Sequence, residues 1–155
     1  MRTLCRLAII GLGLACLAGC NTAGDETVES TSVITSENIS QIVGVRWTLQ
    51  KMTLNGNEYD LAGKRPYIEF RNNGQVSGFA SINRYSGSMQ LDDQGGAPWS
   101  QLASTRMAGP PELMQQESIF LEALQRVQRL SLEGIHLHAQ SEEDQVELVF
   151  RVTEK

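Results

Sequence analysis

Turn-forming residues recur every 8 to 12 residues along this chain from Val43 onward, and the segments between them alternate apolar with polar residues. This spacing is typical of antiparallel β-structure. The segment RWTLQKMTL is predicted to form a strand that ends at Asn55-Gly56, and PYIEF and QVSGFAS flank Asn72-Asn73-Gly74. An Asn-Gly pair between such segments is the strongest short-range signal of a β-hairpin. The chain is therefore expected to form a sheet built largely from hairpins.

The C-terminal part of the chain has the clearest alternation. In QVELVFRV every second residue is apolar, and Glu147 and Arg151 share the opposite face. This is the pattern of a half-buried strand. GIHLHAQ and RLSLEG repeat it. The residues predicted to face inward from these three strands are Leu130, Leu132, Ile135, Leu137, Ala139, Val146, Leu148, Phe150 and Val152.

One helix interrupts the strands after Pro110-Pro111-Glu112, where proline in the first turn and an acid near the positive end of the helix dipole favour a helix start. Apolar residues then follow the helical period, and Gln116 is predicted on the solvated side. Glu122 and Arg126 form an i,i+4 pair in the favoured order. The predicted fold class is α+β, a single domain in which a curved antiparallel sheet or partial barrel packs with one amphipathic helix.

The N-terminus has the pattern of an export signal. Arg2 and Arg6 precede an uncharged run of 11 residues from Leu7 to Leu17. A membrane-spanning helix needs roughly 20 apolar residues, so this run is interpreted as a signal peptide. Leu17-Ala18-Gly19-Cys20 resembles the lipobox of bacterial lipoproteins, whose cysteine is acylated and becomes the first residue after cleavage. The resemblance implies a signal peptide at residues 1–19 and lipidation of Cys20, with several acyl chains that give stable anchoring.

Residues 20–42 are predicted to be the lipidated N-terminus and a flexible, acidic, Ser/Thr-rich tether, followed by a folded domain at 43–155. The alternative, an extra strand built on Val33 and Ile34, remains open. By resemblance to sorting in enteric-type envelopes, Asn21 favours the outer membrane, with the domain facing the periplasm. Inner-membrane anchoring and surface exposure are the alternatives.

Cysteine and charge counts narrow the possible functions. Cys5 and Cys16 would leave with the signal, so the folded domain would have no thiol for a disulfide or a nucleophile. Loss of Arg2 and Arg6 takes the formal charge from −5 to −7, and no Lys/Arg cluster remains. This argues against nucleic acid as a partner. The expected partners are the membrane, through the acyl chains on Cys20, and an envelope protein of unknown identity.

Candidate catalytic groups are sparse. His136 and His138 share one face of a predicted strand, with Glu133 and Glu147 as nearby candidates, but a metal site usually needs a third ligand. The alternation of the strand favours two solvent-facing histidines instead. The chain after residue 20 has no Gly-x-Ser-x-Gly or Ser-x-x-Lys motif. We therefore predict no catalytic residue, no metal and no cofactor, and a protein that is not an enzyme.

Two stretches, VSGFASINRYSGSM and LASTRMAG, together with the helix after them, resemble the META-domain family, which includes the HslJ heat-shock proteins of bacteria. The resemblance covers about residues 43 to 152. The positions that match the family pattern are Trp47, Phe70, Gly78, Asn83, Gly87, Thr105, Arg106, Met107, Ala108 and Glu117. Ser81-Ile82 stands where Gly-Cys is usual, and Gly109 stands where a second cysteine is usual. Both cysteines are absent together, as expected if they pair in relatives that have them.

The resemblance implies a compact α+β domain, often exported or lipid-anchored, that is associated with stress tolerance, motility or secretion and has no established enzymatic mechanism. The predicted function is a non-enzymatic binding or accessory module of the envelope, and the matching residues are expected to be structural. The alternative is a carrier or pilot-like lipoprotein that shelters an apolar ligand or partner segment. Trp99 would line such a cleft, although an ordinary core position is favoured for it. An enzyme is the least favoured alternative.

Overall fold

The computed structural model describes residues 30–141, 143 and 145–153. Cys20 and the predicted signal peptide lie outside the described residues. The elements in chain order are β1 (Ser32–Val33), a 3-10 turn (Ile39–Gln41), β2 (Arg46–Leu54), β3 (Asn57–Tyr59), β4 (Tyr67–Phe70), β5 (Gln75–Phe79), β6 (Arg84–Ser88), β7 (Ala103–Ser104), α1 (Pro111–Arg126), β8 (Arg129–Glu133), β9 (His136–Gln140) and β10 (Val146–Thr153).

The strands form a single antiparallel sheet in the order β1-β8-β9-β10-β2-β4-β5-β6-β7, and β3 pairs with β2. The sheet is not closed into a barrel. An isolated bridge pairs Met89 with Trp99 within the segment after β6, and another pairs Gly96 of that segment with Arg129 of β8. The α+β class, with one helix against an antiparallel sheet, is confirmed.

The hairpin signals in the sequence correspond to turns in the structure. Asn55 and Gly56 both have positive φ, 53° and 73°, and join β2 directly to β3. This is the conformation that an Asn-Gly pair is suited to adopt. Asn72-Asn73-Gly74 joins β4 to β5. The longest strand pairing is between β10 and β2, which pair from Val146–Leu54 to Thr153–Arg46.

The core lies between the sheet and α1. The Phe120 ring packs edge-on against Tyr85 and Phe150, with centroid distances of 5.7 and 6.4 Å. Burial raises the pKa of Tyr85 well above its ordinary value, and its hydroxyl donates to the Tyr67 carbonyl at 3.1 Å. The predicted inward position of Ile135 is wrong because Ile135 follows the Gly134 turn between β8 and β9, and its side chain is exposed.

Residues 32–42, which the sequence analysis assigned to the tether, pack against the domain in the structure, and a strand is present at Ser32–Val33, one residue before the Val33-Ile34 strand that was left open as the alternative. Strand β1 pairs with β8, and the Ile34 N–H donates to the Leu130 carbonyl at 2.8 Å. Ile34 and Ile42 are fully buried. The Trp47 Nε1–H donates to the Ile42 carbonyl at 2.9 Å. The folded domain therefore begins near residue 32.

Within the described part of the chain, no helix combines the length and the apolar composition that a membrane span requires.

The docking of this N-terminal segment predicts a large effect for Ile34→Ala. Ile34 has 0% exposure, so the substitution should lower the free energy of unfolding by about 2–4 kcal/mol through lost burial and a cavity. Val33→Ala is the matched control. It removes two methyl groups from a side chain that is 40% exposed, and should cost under about 1 kcal/mol. Urea unfolding of both variants measures the difference, and equal effects would contradict the docked position.

Candidate functional site

The matching positions of the family pattern meet at one cluster of polar groups, the Asn83 cluster, which consists of Asn83, Thr105, Met107 and Glu117. The Asn83 Nδ2 donates to Glu117 Oε1 at 2.7 Å and to the Met107 carbonyl at 3.1 Å. The Asn83 Oδ1 accepts from the Thr105 hydroxyl at 2.7 Å and from the Met107 N–H at 2.8 Å. The amide of Asn83 thus uses both donors and both acceptor sites.

Glu117 ties the same loop to the helix. Its Oε2 accepts from the backbone N–H of Ile82 at 3.1 Å and of Asn83 at 2.7 Å. Hydrogen bonds to a carboxylate are stronger than those between neutral groups. The cluster therefore joins the β5–β6 loop, the segment after β7 and α1, which no strand pairing connects.

A second polar contact lies one residue away on α1. The predicted solvated position of Gln116 is wrong, because Gln116 is buried and its amide forms three hydrogen bonds. Its Oε1 accepts from the Ala62 N–H at 2.7 Å, and its Nε2 donates to the Ala62 carbonyl at 3.2 Å and to the Ser81 hydroxyl at 2.7 Å. The Gln116 amide thus bonds both the backbone N–H and the backbone carbonyl of Ala62, as a neighbouring strand would.

Ser81 has an unusual backbone conformation. Its φ is 121°, in a region that favours glycine, and glycine is the residue that the family pattern has here. Non-glycine residues in such regions cost about 1–3 kcal/mol. The buried Ser81 hydroxyl offsets part of this cost because it accepts from Gln116.

Ile82 and Gly109, which occupy the two usual cysteine positions, are in contact. A Cβ placed on Gly109 would overlap Ile82 Cδ1 and would lie 3.0 Å from Ile82 Cγ1. The isoleucine side chain therefore occupies the space that a side chain at residue 109 would need. The two positions are neighbours in the fold, as the paired loss of cysteines suggested.

The other residues of the pattern lie outside the cluster. A side chain on Gly78 would overlap the Tyr67 carbonyl and lie 2.7 Å from Tyr85 Oη. A side chain on Gly87 would lie 2.6 Å from Leu102 Cδ2. Close packing against the Tyr67 backbone thus requires glycine at residue 78, whereas at residue 87 a movement of the Leu102 side chain would make room. Trp47 is buried on β2 and bonds the Ile42 carbonyl.

The last part of the pattern lies in residues 103–108, which are all exposed. We call these residues the free edge segment. It begins with β7 at the end of the sheet order. The Arg106 side chain forms no ion pair with another described residue, and Met107 is 56% exposed. In the part of the chain that the structure describes, Met107 contributes its backbone to the Asn83 cluster and leaves its side chain to solvent.

His138 lies near both carboxylates that the sequence suggested. Its Nε2 is 3.4 Å from Glu133 Oε2, and its Nδ1 is 3.9 Å from Glu147 Oε1. Glu147 also accepts from Lys51 at 2.8 Å, and this hydrogen bond raises the pKa of Lys51. Among residues 30–141, 143 and 145–153, no three His, Cys, Asp or Glu side chains are arranged to hold a metal ion.

Trp99 is partly buried and packs against the core cluster without being part of it, and its backbone bridges Met89. Its Nε1 is buried and has no hydrogen-bond partner among the described residues. A shallow groove of about 350 Å³ lies over β5, β6 and β7, and Trp99 does not line it. Apart from Val76, the residues of this groove are polar or small, and include Ser77, Ser86 and Ala103.

Comparison with known families gives a match to the META domain over residues 40–154. The chain belongs to the META-domain family. META domains are not a known enzyme family, so membership supports a non-catalytic accessory domain at most. None of the curated proteins matches the chain.

Solved structures confirm the fold. An NMR structure of a protein from Burkholderia xenovorans is similar with a TM-score of 0.64 and 20% identity, covering 78% of this chain and 90% of that chain. A DUF4847 family protein from Bacteroides vulgatus is similar with a TM-score of 0.54 and 13% identity, covering 76% of this chain and 98% of that chain. At these identities the similarity shows the fold alone.

Sequence reasoning identified Asn83, Thr105, Met107 and Glu117 but not that they meet. Asn83 and its partners are 22 to 34 residues apart along the chain, so no local period reveals the contact. Gln116 was missed because its polar side chain fits the solvated side of an amphipathic helix. Its proximity to Glu117 was the available signal.

The Asn83 cluster predicts that Glu117→Gln will destabilise the domain. The substitution places an amide donor where Glu117 accepts three hydrogen bonds, two from backbone and one from Asn83. The free energy of unfolding should fall by about 2 kcal/mol. Glu122→Gln removes the same charge from an exposed pair with Arg126 and should cost about 0.5 kcal/mol. Chemical denaturation of the two variants compares them, and equal losses would contradict the cluster's role.

Because of the backbone conformation at residue 81, we predict that Ser81→Gly will be more stable than Ser81→Ala, the reverse of the usual order. Ser81→Ala keeps the strained φ and loses the Gln116 hydrogen bond, whereas Ser81→Gly loses the bond but relieves the strain. The glycine variant should be more stable than the alanine variant by about 1–2 kcal/mol. At ordinary positions in helices and strands glycine is the less stable of the two by about 0.5–1 kcal/mol. Thermal and urea unfolding measure the stability of both variants. An alanine variant more stable than the glycine variant would show that residue 81 is unstrained.

Proposed function

We propose that this protein is a lipid-anchored, non-catalytic accessory protein of the bacterial envelope, and that its META domain binds an extended, acidic segment of a partner protein along the free edge segment. The observation that carries the proposal is the unpaired edge of β7. Family membership supports the accessory role, and the lipobox resemblance at Cys20 supports the anchor. The links to stress tolerance, motility or secretion rest on the resemblance alone.

The backbone of the free edge segment is oriented for strand addition. Ala103 pairs with Ser86 on β6, and the Thr105 N–H donates to the Arg84 carbonyl at 3.0 Å. Alternate residues of an antiparallel strand direct their N–H and C=O groups to the same side. Ser104 and Arg106 therefore direct theirs away from β6, where no described backbone group meets them.

Open sheet edges are usually shortened, covered or protected by charge or proline. Here β7 is short, with two residues, and Arg106 follows it, but the segment 103–108 is exposed throughout and contains no proline. An extended peptide can add to such an edge through main-chain hydrogen bonds. The edge has the features of a docking site for a strand.

The charges beside the edge favour an acidic partner. Arg84 and Arg106 are exposed, and neither forms an ion pair with another residue in the described ranges. They are uncompensated cations on a chain whose formal net charge is −5. Opposite charge on a partner would steer its approach and set its register.

The proposed anchor would hold the domain close to the membrane. The folded domain begins at Ser32, so only residues 21–31 separate it from Cys20. A chain of eleven residues spans at most about 40 Å when fully extended. Partners would therefore be envelope proteins whose exposed segments lie near the bilayer surface.

The anchor predicts a specific effect of Cys20→Ser in cells. This variant should lose incorporation of labelled palmitate and should leave the membrane fraction, because no acyl acceptor remains. Cys16→Ser is the matched control, since Cys16 would be removed with the signal peptide and the variant should behave as the wild type. Palmitate labelling and membrane fractionation measure both, and retention of label by Cys20→Ser would refute lipidation at this residue.

The edge predicts a cross-linking result in living cells. A photo-reactive amino acid at Ala108, which is exposed, should capture one partner protein. Ser104→Pro removes an outward N–H without breaking the β6 pairing and should reduce the adduct about fivefold or more. Arg84→Glu with Arg106→Glu should do the same through charge reversal, while Asp93→Lys, in an exposed turn elsewhere, should leave the adduct unchanged.

The cross-linking outcomes distinguish which molecule binds along the free edge segment. An adduct that resists both Ser104→Pro and the arginine reversal would refute strand addition at β7. An adduct of twice the chain mass would identify a second copy of this protein and refute the acidic partner. Ala103→Pro, which removes an N–H directed at β6, serves as the destabilised control in thermal unfolding.

A further inference from the structure

The methionines of the folded domain divide into two classes. Met52 and Met89 are buried, with exposures of 0% and 1%, whereas Met107 and Met114 are 56% and 46% exposed. Methionine is commonly a core residue that fills irregular gaps. Core packing among the described residues therefore does not explain why Met107 and Met114 are methionines.

The two exposed methionines flank the Asn83 cluster. The backbone of Met107 bonds the Asn83 side chain through both its N–H and its carbonyl. Met114 lies in the first turns of α1, three residues before Glu117, and residues three apart share one side of a helix. Met107 thus lies at the joint between the free edge segment and α1, and Met114 lies about one helical turn before Glu117, the residue of α1 that bonds Asn83 at this joint.

We propose that Met107 and Met114 form a reversible oxidation site, which accepts oxygen from hypochlorous acid or a related two-electron oxidant and leaves the fold intact. The domain from residue 40 to residue 154 contains no cysteine, because the chain's three cysteines are Cys5, Cys16 and Cys20. The exposed thioethers are therefore the most readily oxidised sulfur atoms of the domain.

The reaction is a two-electron oxygen transfer. The thioether sulfur gains one S=O bond and is oxidised, hypochlorous acid loses its oxygen and is reduced to chloride, and one proton is released for each sulfoxide formed. The reverse step consumes two thiols, forms one disulfide and releases one water, and methionine sulfoxide reductases carry it out. Each cycle converts an apolar side chain at the joint into a polar one and back.

The fold should tolerate the product. Neither thioether is part of the core, and Met107 contributes only backbone groups to the Asn83 cluster. A sulfoxide at either position would project into solvent and need no buried partner. Oxidation of Met52 or Met89 would instead place a polar group in the core, and it requires the domain to open first.

The test is a graded oxidation of the full-length protein whose thiols have first been alkylated with N-ethylmaleimide. Hypochlorous acid is added in increasing amounts, and peptide mass mapping follows each methionine. Met107 and Met114 should form sulfoxide at least about tenfold faster than Met52 and Met89, because a stable domain rarely exposes its core. The melting temperature should be unchanged at full oxidation of the two, and a methionine sulfoxide reductase should restore the original mass.

Two controls make the result decisive. In guanidinium chloride all four methionines should react at similar rates, which would show that folding imposes the selectivity. Met107→Leu with Met114→Leu should abolish the fast reaction while keeping the fold. Fast oxidation of Met52 or Met89 in the native protein, unfolding upon oxidation of the exposed pair, or failure of the reductase to reverse the product would each overturn the proposal.

Discussion

The side-chain amide of Asn83 is the group on which the arrangement of loops in this domain depends. The sheet is assembled by strand pairing, but strand pairing does not fix α1 or the segment after β7 against the β5–β6 loop. Asn83 bonds both of these, and Glu117 adds two bonds to the loop backbone. Leaving such buried groups without partners costs about 1–3 kcal/mol for each. The cluster therefore acts as a single unit, and the position of the helix N-terminus and the free edge segment follows from it.

The departures from the family pattern lie around this unit and compensate for one another. Ile82 occupies the space in front of Gly109, so the large residue at one position and the absent side chain at the other are mutually required. Ser81 adopts a glycine conformation, but its hydroxyl gives Gln116 a partner that glycine would lack. The joint that a cysteine pair would cross-link is held here by packing and hydrogen bonds.

Local signals were sufficient for the central hairpins, the C-terminal strands and the helix. The Asn55-Gly56 turn, the alternation of β10 and the prolines before α1 each act over a few residues, and the structure has each of them. The N-terminal segment was misjudged because Ile34 and Ile42 are separated by a 3-10 turn, which follows neither the helical period nor the strand period. Gln116 was misjudged because burial of an amide depends on a partner, Ala62, that lies 54 residues away. Tertiary contacts of this kind have no signature in a local pattern.

In the segment Thr105-Arg106-Met107, some groups are needed for the fold and others are not. The structure uses the hydroxyl of Thr105 and the backbone of Met107, and any residue except proline could supply the latter. The family pattern nevertheless has methionine at this position, and its side chain is exposed in this protein. A side chain that the fold does not need is best explained by contact or chemistry outside the fold. Strand addition at the edge and oxidation of the thioether both act there, and they are separable, because oxidation proceeds in the isolated protein and strand addition requires a partner.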